Sequence, residues 1–256
     1  MDRKWLLIPE YSQLKESVAL AEQYNAGFEY NDFFEPSIYE DSEEVRKRIA
    51  VYKGLMRSRS SDTLHGVFYD IAYTSRDSVL RERSRELIRQ SMCIAGELGV
   101  KGVVFHTGLL AGLETEGYIR QWLEEAEKFW KEIAAEYRGL EIYIENTFEK
   151  TPDVIVRIKE RLAEEADIKL CLDYAHACIS PTPVEKWVEQ LAGKIGHMHL
   201  NDNDLKADLH AVPGEGKIDF KQCRMLLEQY HIEASILLEL RGVERQRSAL
   251  EYMKAL

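Results

Sequence analysis

The strongest constraint on this 256-residue chain is an alternation repeated along its whole length: a short apolar run, then a longer amphipathic stretch. The runs are Trp5–Pro9, Gly27–Tyr30, Thr63–Tyr69, Gly102–His106, Glu141–Glu145, Ile168–Asp173, Ile195–Leu200 and Ser235–Glu239. Strands separated by helices pair in parallel, because the helix carries the chain back to the starting edge. Eight such units in about 250 residues fit a (β/α)8 barrel. An open doubly wound sheet is the competing arrangement, but no glycine-rich dinucleotide fingerprint follows the first run. The expectation is an α/β protein: a single TIM barrel domain over residues 1-256.

Local signals support the helices. Thr151-Pro152-Asp153 reads as a cap, a proline in the first turn and an acid near the positive helix end. Thr182 and Glu185 have the spacing of a capping box. Asp77–Leu98 reads as one long helix with Leu80, Leu87, Ile88 and Ile94 on its apolar face.

The formal net charge of −11 disfavours extended contact with a phosphate backbone, so nucleic acid is not the expected partner. None of the four cysteines, Cys93, Cys171, Cys178 and Cys223, forms a CxxC pair, which argues against a zinc ribbon or redox dithiol. Cys93 and Cys171 read as small buried hydrophobes. No apolar stretch has the roughly 18 residues a membrane span needs. Met1–Lys4 leads into a run too brief for a signal peptide. The expected location is the cytoplasm, and homo-oligomerisation is left open.

The chemistry-bearing residues collect at the ends of the apolar runs. His65 lies in LHGVFYD, His106 ends VVFH, Glu145 ends IYIE and Asp173 ends LCLD, with His176 three residues on. His199 lies in HMHLNDND, Asp208 and His210 in ADLHAVPGEG, and Glu239 in LLELRG. Barrel enzymes keep their active sites at the C-terminal strand ends. Singly, such a histidine reads as a hydrogen-bonded core group and such an acid as a helix cap. Together, Glu145, Asp173 and Glu239 beside His199 would repel one another and take up protons unless a cation joined them. A mixed His and carboxylate set suits zinc, manganese, cobalt or iron. His197, on the same strand face as His199 but deeper, reads as a core residue or as one that backs the metal ligands. Gly214 and Gly216 read as chosen for backbone freedom, and the amides of GEGKIDF with Lys217 could grip a phosphate.

Taken in order, LHGVFYD, VVFHTG, IENT, LDYAH, HMHLNDND, the DLH-to-GEGKIDF segment and LLEL resemble the xylose isomerase-like TIM-barrel superfamily, which includes endonuclease IV. The resemblance implies a metal quartet of Glu145, Asp173, His199 and Glu239. On the endonuclease IV pattern, Glu145 would bridge two metals, with His65 and His106 on the first; His176, Asp208 and His210 would bind a third. Two activities follow from it. In a sugar or sugar-phosphate isomerase or epimerase, one zinc or manganese ion would stabilise an enediolate. Glu145 and Glu239 would pass the proton, and His176 would position a hydroxyl of a small carbohydrate. In a phosphoesterase acting on abasic-site DNA or a small phosphoester, up to three zinc ions would activate water. Tyr69 and Tyr73 would be candidates for holding a duplex open. The isomerase ranks first. The first strand lacks the Gly-x-His-x-Ser pattern associated with endonuclease IV, and the loop NDFFEPSIYEDSEE is acidic. Against an epimerase of the tagatose type, the arginine after the seventh-strand histidine is replaced by NDND. Arg241 could meet a substrate phosphate. A non-catalytic carbohydrate-binding barrel is the third alternative, and it predicts loss of metal ligands, which are all present.

Overall fold

A computed structural model describes residues 4–110, 112, 113 and 115–256. Its strands are β1 (Trp5–Leu7), β2 (Gly27–Tyr30), β3 (Thr63–His65), β4 (Gly102–His106), β5 (Glu141–Glu145), β6 (Ile168–Asp173), β7 (Ile195–Leu200) and β8 (Ser235–Leu238). They close in chain order into one barrel, the expected (β/α)8 architecture. The helices are α1 (Leu14–Tyr24), α2 (Pro36–Tyr39), α3 (Ser42–Lys53), α4 (Ser78–Leu98), α5 (Glu116–Glu136), α6 (Asp153–Arg161), α7 (Tyr174–Ile179), α8 (Val184–Leu191), α9 (Phe220–Gln229) and α10 (Val243–Ala255). Consecutive strand residues such as Ile142, Tyr143 and Ile144 are all buried. Parallel strands covered on both faces require this, so the runs are continuous rather than alternating. Among the described residues no helix is long and apolar enough to cross a membrane. Met1–Arg3, part of the N-terminal lead, lie outside the described residues.

Several expectations need correction. The third strand ends at His65, not Tyr69: only the Gly66 amide still reaches Val104 O, at 2.8 Å, and Asp70 turns the chain with φ of 55°. His65 therefore sits at a strand end. The first and last strands stop at Leu7 and Leu238. The Thr182–Glu185 capping box does not form, because Thr182 Oγ1 donates to Lys150 O at 2.7 Å and the cap position before α8 is Pro183, which offers no side-chain cap. In α4, Leu87, Ile88 and Ile94 are buried but Leu80 is 55% exposed. Cys93 is exposed, with Sγ 3.5 Å from Tyr137 Oη, whereas Cys171 is buried as expected.

Packing groups the chain into two units. One comprises Met1–Glu29, Glu145–Val156 and Lys169–Leu256. In it Asp173 pairs in register with His199, and His199 with Leu237, so three strand ends lie side by side. The Glu239 amide continues the ladder to Leu200 O at 2.9 Å. The other unit comprises Tyr30–Ile144 and Arg157–Ile168. Within it His65 pairs with Val104, one residue before Phe105 and two before His106. Two buried acids there are neutralised locally. Asp62 accepts from Arg57 and from Tyr30 Oη at 3.0 Å, and Asp32 accepts from Tyr52 Oη and from Arg48 Nη1 at 2.7 Å. Charge pairing of this kind is what permits burial of a carboxylate.

Candidate metal centre

The first unit brings together most of the residues singled out in the sequence. Glu145, Asp173 and His199 each offer a ligand atom, and these atoms lie within 4.8 Å of one another. His199 Nδ1 stands 3.3 Å from Glu145 Oε1 and 3.5 Å from Glu239 Oε2. Asp173 has two roles. Its Oδ1 accepts from the His176 amide at 2.7 Å and caps α7, while its buried Oδ2 makes no hydrogen bond. Glu239 Oε2 is likewise buried without one. Burial pushes the Asp173 carboxyl up to about 7, against His176 and with Glu239 and Glu145 adding to the rise. Burial also opposes a charged His199, yet the acids around it, Cys171, Glu145, Glu29 and Glu239, drive its pKa well above the usual imidazole range. Carboxylates this close hold themselves apart only by taking up protons or by sharing a cation.

The second group shows the same demand more sharply. His176 Nδ1 donates to Asn146 O at 3.0 Å, and His210 Nδ1 donates to Glu239 O at 3.0 Å. A carbonyl only accepts, so both protons are assigned to Nδ1 and the lone pairs lie on Nε2. Both Nε2 atoms then face Asp208 Oδ2, at 3.3 and 2.9 Å. Three acceptors converge, and only extra protons or a cation make that arrangement favourable. Without a metal the protons win: Asp208 holds His210 up to about 9 against burial, and Asp173 and Asp208 hold His176 well above the usual range. The donor set, the unbonded buried oxygens and the committed Nδ1 atoms all fit divalent cations.

Two residues of this unit escaped the sequence reading. Glu29 of β2 is fully buried, with Oε2 3.0 Å from His197 Nε2 and Oε1 3.2 Å from His199 Nε2. Burial opposes its charge, but His199 and His197 hold its carboxyl well below the usual range. The signal was an acid inside the apolar run GFEY. His197 is a core residue as expected, its Nδ1 2.7 Å from Ser235 Oγ. Asp202, in NDND, accepts from the amides of Asn203, Gly214, Gly216 and Ile218 at 2.8 to 3.0 Å. The Gly214, Gly216 and Ile218 amides are therefore filled by a side chain of the protein itself, which leaves the segment to its turn and removes the alternative of a phosphate grip. Gly214 has φ of 94° and needs backbone freedom, but Gly216 does not. A Cβ on Gly216 would stand 2.3 Å from Asp202 Oδ1 and 2.4 Å from Asn203 O, so that glycine makes room for the acid.

In the second unit His65 and His106 are neighbours, with ring centroids 5.3 Å apart. His65 Nδ1 donates to Gly66 O at 2.9 Å, which puts the ring's lone pair on Nε2. Phe68 stacks on His106 at 4.6 Å, and Phe34 lies edge-on to His65 at 5.5 Å. Tyr69 is half exposed, but Tyr73 is buried: its hydroxyl donates to Thr107 O at 2.7 Å and accepts from Trp130 Nε1 at 3.0 Å. Tyr73 cannot enter a duplex. Arg241 is exposed.

A probable endonuclease 4 of Mycobacterium leprae is 27% identical over 59% of this chain and 62% of its own. An uncharacterized protein of Methanocaldococcus jannaschii is also 27% identical, over 75% of this chain and 68% of its own. Among solved structures, a D-tagatose 3-epimerase-like protein has a TM-score of 0.78 at 22% identity, covering 98% of this chain and 96% of that one. A Thermus thermophilus protein soaked with ZnCl2 has a TM-score of 0.77 at 22% identity, covering 100% of this chain and 97% of that one. At these identities the structural likeness shows the fold alone. The family model of xylose isomerase-like TIM barrels matches residues 18–256, and the chain belongs to that family.

Proposed function

We propose that the chain is a divalent-metal-dependent isomerase or epimerase of a sugar or sugar phosphate. The observation that carries the reading is the pair of carboxylates, Glu145 and Glu239, facing the same His199 nitrogen at 3.3 and 3.5 Å. A zinc or manganese ion held by Glu145, Asp173, His199 and Glu239 would supply Lewis acidity toward adjacent oxygens of a ketose. Glu145 and Glu239 are then placed to take a carbon-bound proton and to return one. His176, its Nδ1 anchored on Asn146 O, would position a substrate hydroxyl through Nε2. The net charge of −11 and the self-filled amides at Asp202 both count against a phosphate backbone as substrate.

One observation favours a second reading. The convergence of His176 Nε2 and His210 Nε2 on Asp208 is a further cation site that a one-metal isomerase does not need. A multinuclear zinc phosphoesterase of abasic-site DNA or a small phosphoester would use such an additional site. Elemental analysis of protein purified without added metal or chelator, beside His210→Ala, separates the two. About one ion per chain, unchanged by the substitution, supports the isomerase and directs a screen of ketoses and their phosphates. About three zinc ions, falling toward two, supports the phosphoesterase. No metal bound or taken up removes both.

A further inference from the structure

A buried acid in a barrel strand needs a reason, because a lone carboxylate in an apolar interior costs several kcal/mol. Glu29 has one in the chain of contacts it closes. Ser235 Oγ lies 2.7 Å from His197 Nδ1, His197 Nε2 lies 3.0 Å from Glu29 Oε2, and Glu29 Oε1 lies 3.2 Å from His199 Nε2. His199 Nδ1 then faces Glu145 and Glu239. A carboxylate oxygen accepts, so the hydrogen bond to Oε2 puts the His197 proton on Nε2, and Oε1 beside His199 Nε2 selects the same tautomer in that ring. That leaves His197 Nδ1 to accept from the Ser235 hydroxyl and His199 Nδ1 to present its lone pair on the metal side.

We propose that Glu29 is a positioning residue for the metal centre: it fixes the tautomer and ring plane of His199 and adds negative charge behind it, with His197 and Ser235 as its brace. This rests on the reading of Glu145, Asp173, His199 and Glu239 as metal ligands. Partners behind a ligating histidine typically change metal affinity by about 10–100-fold.

The test is a cobalt(II) titration followed by visible absorption, on wild type, Glu29→Gln and Ser235→Ala, with circular dichroism to confirm folding. Long-range 1H–15N histidine spectra of the zinc-loaded wild type are recorded beside it. The expected result is about 10–100-fold weaker cobalt binding in Glu29→Gln, a smaller loss in Ser235→Ala, and His199 protonated on Nε2. Wild type that binds no cobalt overturns the metal reading and this proposal with it. Wild type that binds cobalt, with both variants within about twofold of it, overturns the role of Glu29 alone. If Glu29→Gln fails to fold, the spectra decide: a His199 protonated on Nδ1 refutes the proposal.

Discussion

Replacing Asp202 by asparagine keeps the shape of the side chain and removes its charge. Asp202 is fully buried, with Oδ1 accepting from Asn203 N and Ile218 N, and Oδ2 from Gly214 N and Gly216 N. In Asp202→Asn an NH2 group replaces one oxygen, so two of the four amides meet a donor instead of an acceptor. Hydrogen bonds to a charged group are worth about 1.5–3 kcal/mol each, and two lost outright cost about 3–6 kcal/mol. Unfolding entropy near 2.1 cal/mol/K per residue gives about 0.5 kcal/mol/K for this chain, so a loss of about 4 kcal/mol lowers Tm by about 8 °C. Differential scanning calorimetry in the presence of chelator measures this without any contribution from metal. The same carboxylate lies at the base of the loop carrying Asp208 and His210, where Asp202 N and O pair with Ala211 at 2.8 Å. Metal stoichiometry of the variant should therefore fall as well. A Tm within about 2 °C of wild type would refute the account of this carboxylate as the loop's anchor.

Four further outcomes are expected. Tyr73→Phe removes the hydroxyl that accepts from the buried Trp130 N–H and donates to Thr107 O, and should cost about 2 kcal/mol, a Tm fall of about 4 °C by circular dichroism. Asp77→Ala removes the α4 cap that accepts from Val79 N at 2.8 Å and Leu80 N at 3.2 Å, costing about 1 kcal/mol in urea unfolding. Glu145→Gln and Glu239→Gln should each lower kcat by at least about 100-fold on whichever substrate the screens identify, with thermal stability little reduced. Stripping bound metal with a chelator should lower Tm by about 5 °C if the ion is present at about 100 times its Kd, and re-adding zinc or manganese should restore it.

The barrel was legible because parallel strands buried on both faces leave uninterrupted apolar runs, and the acids at their ends stand out against them. Glu145 and Asp173 were found this way. Strand lengths were less legible: nothing in LHGVFYD marks that pairing ceases after Gly66, since Val67 and Phe68 look as apolar as the strand itself. Glu29 was missed for a related reason. One acid in a four-residue run reads as an outward-facing strand residue until the partner histidines, far along the chain, are brought to it by the barrel. NDND reads as a polar surface loop, yet Asn201, Asp202 and Asn203 are all buried. The role of Asp202 depends on amides that carry no side-chain signature, and Gly216 was misread with it.

Four of the five histidines of the first unit share one device. Each ring has a nitrogen facing an acceptor-only group: Asn146 O for His176, Glu239 O for His210 and the Glu29 carboxylate for His197 and His199. Tautomers assigned this way are properties of the folded chain and need no metal to set them. Three of the rings then direct a lone pair at carboxylate oxygens, which is unfavourable for the chain alone and favourable once positive charge is present. On the metal reading, the fold holds these atoms in place at a cost in its own stability, and binding of a cation would recover that cost. This logic applies equally to the His199 quartet and to the His176–Asp208–His210 group. For that reason the number of cations bound, more than the identity of any one ligand, separates the isomerase from the phosphoesterase.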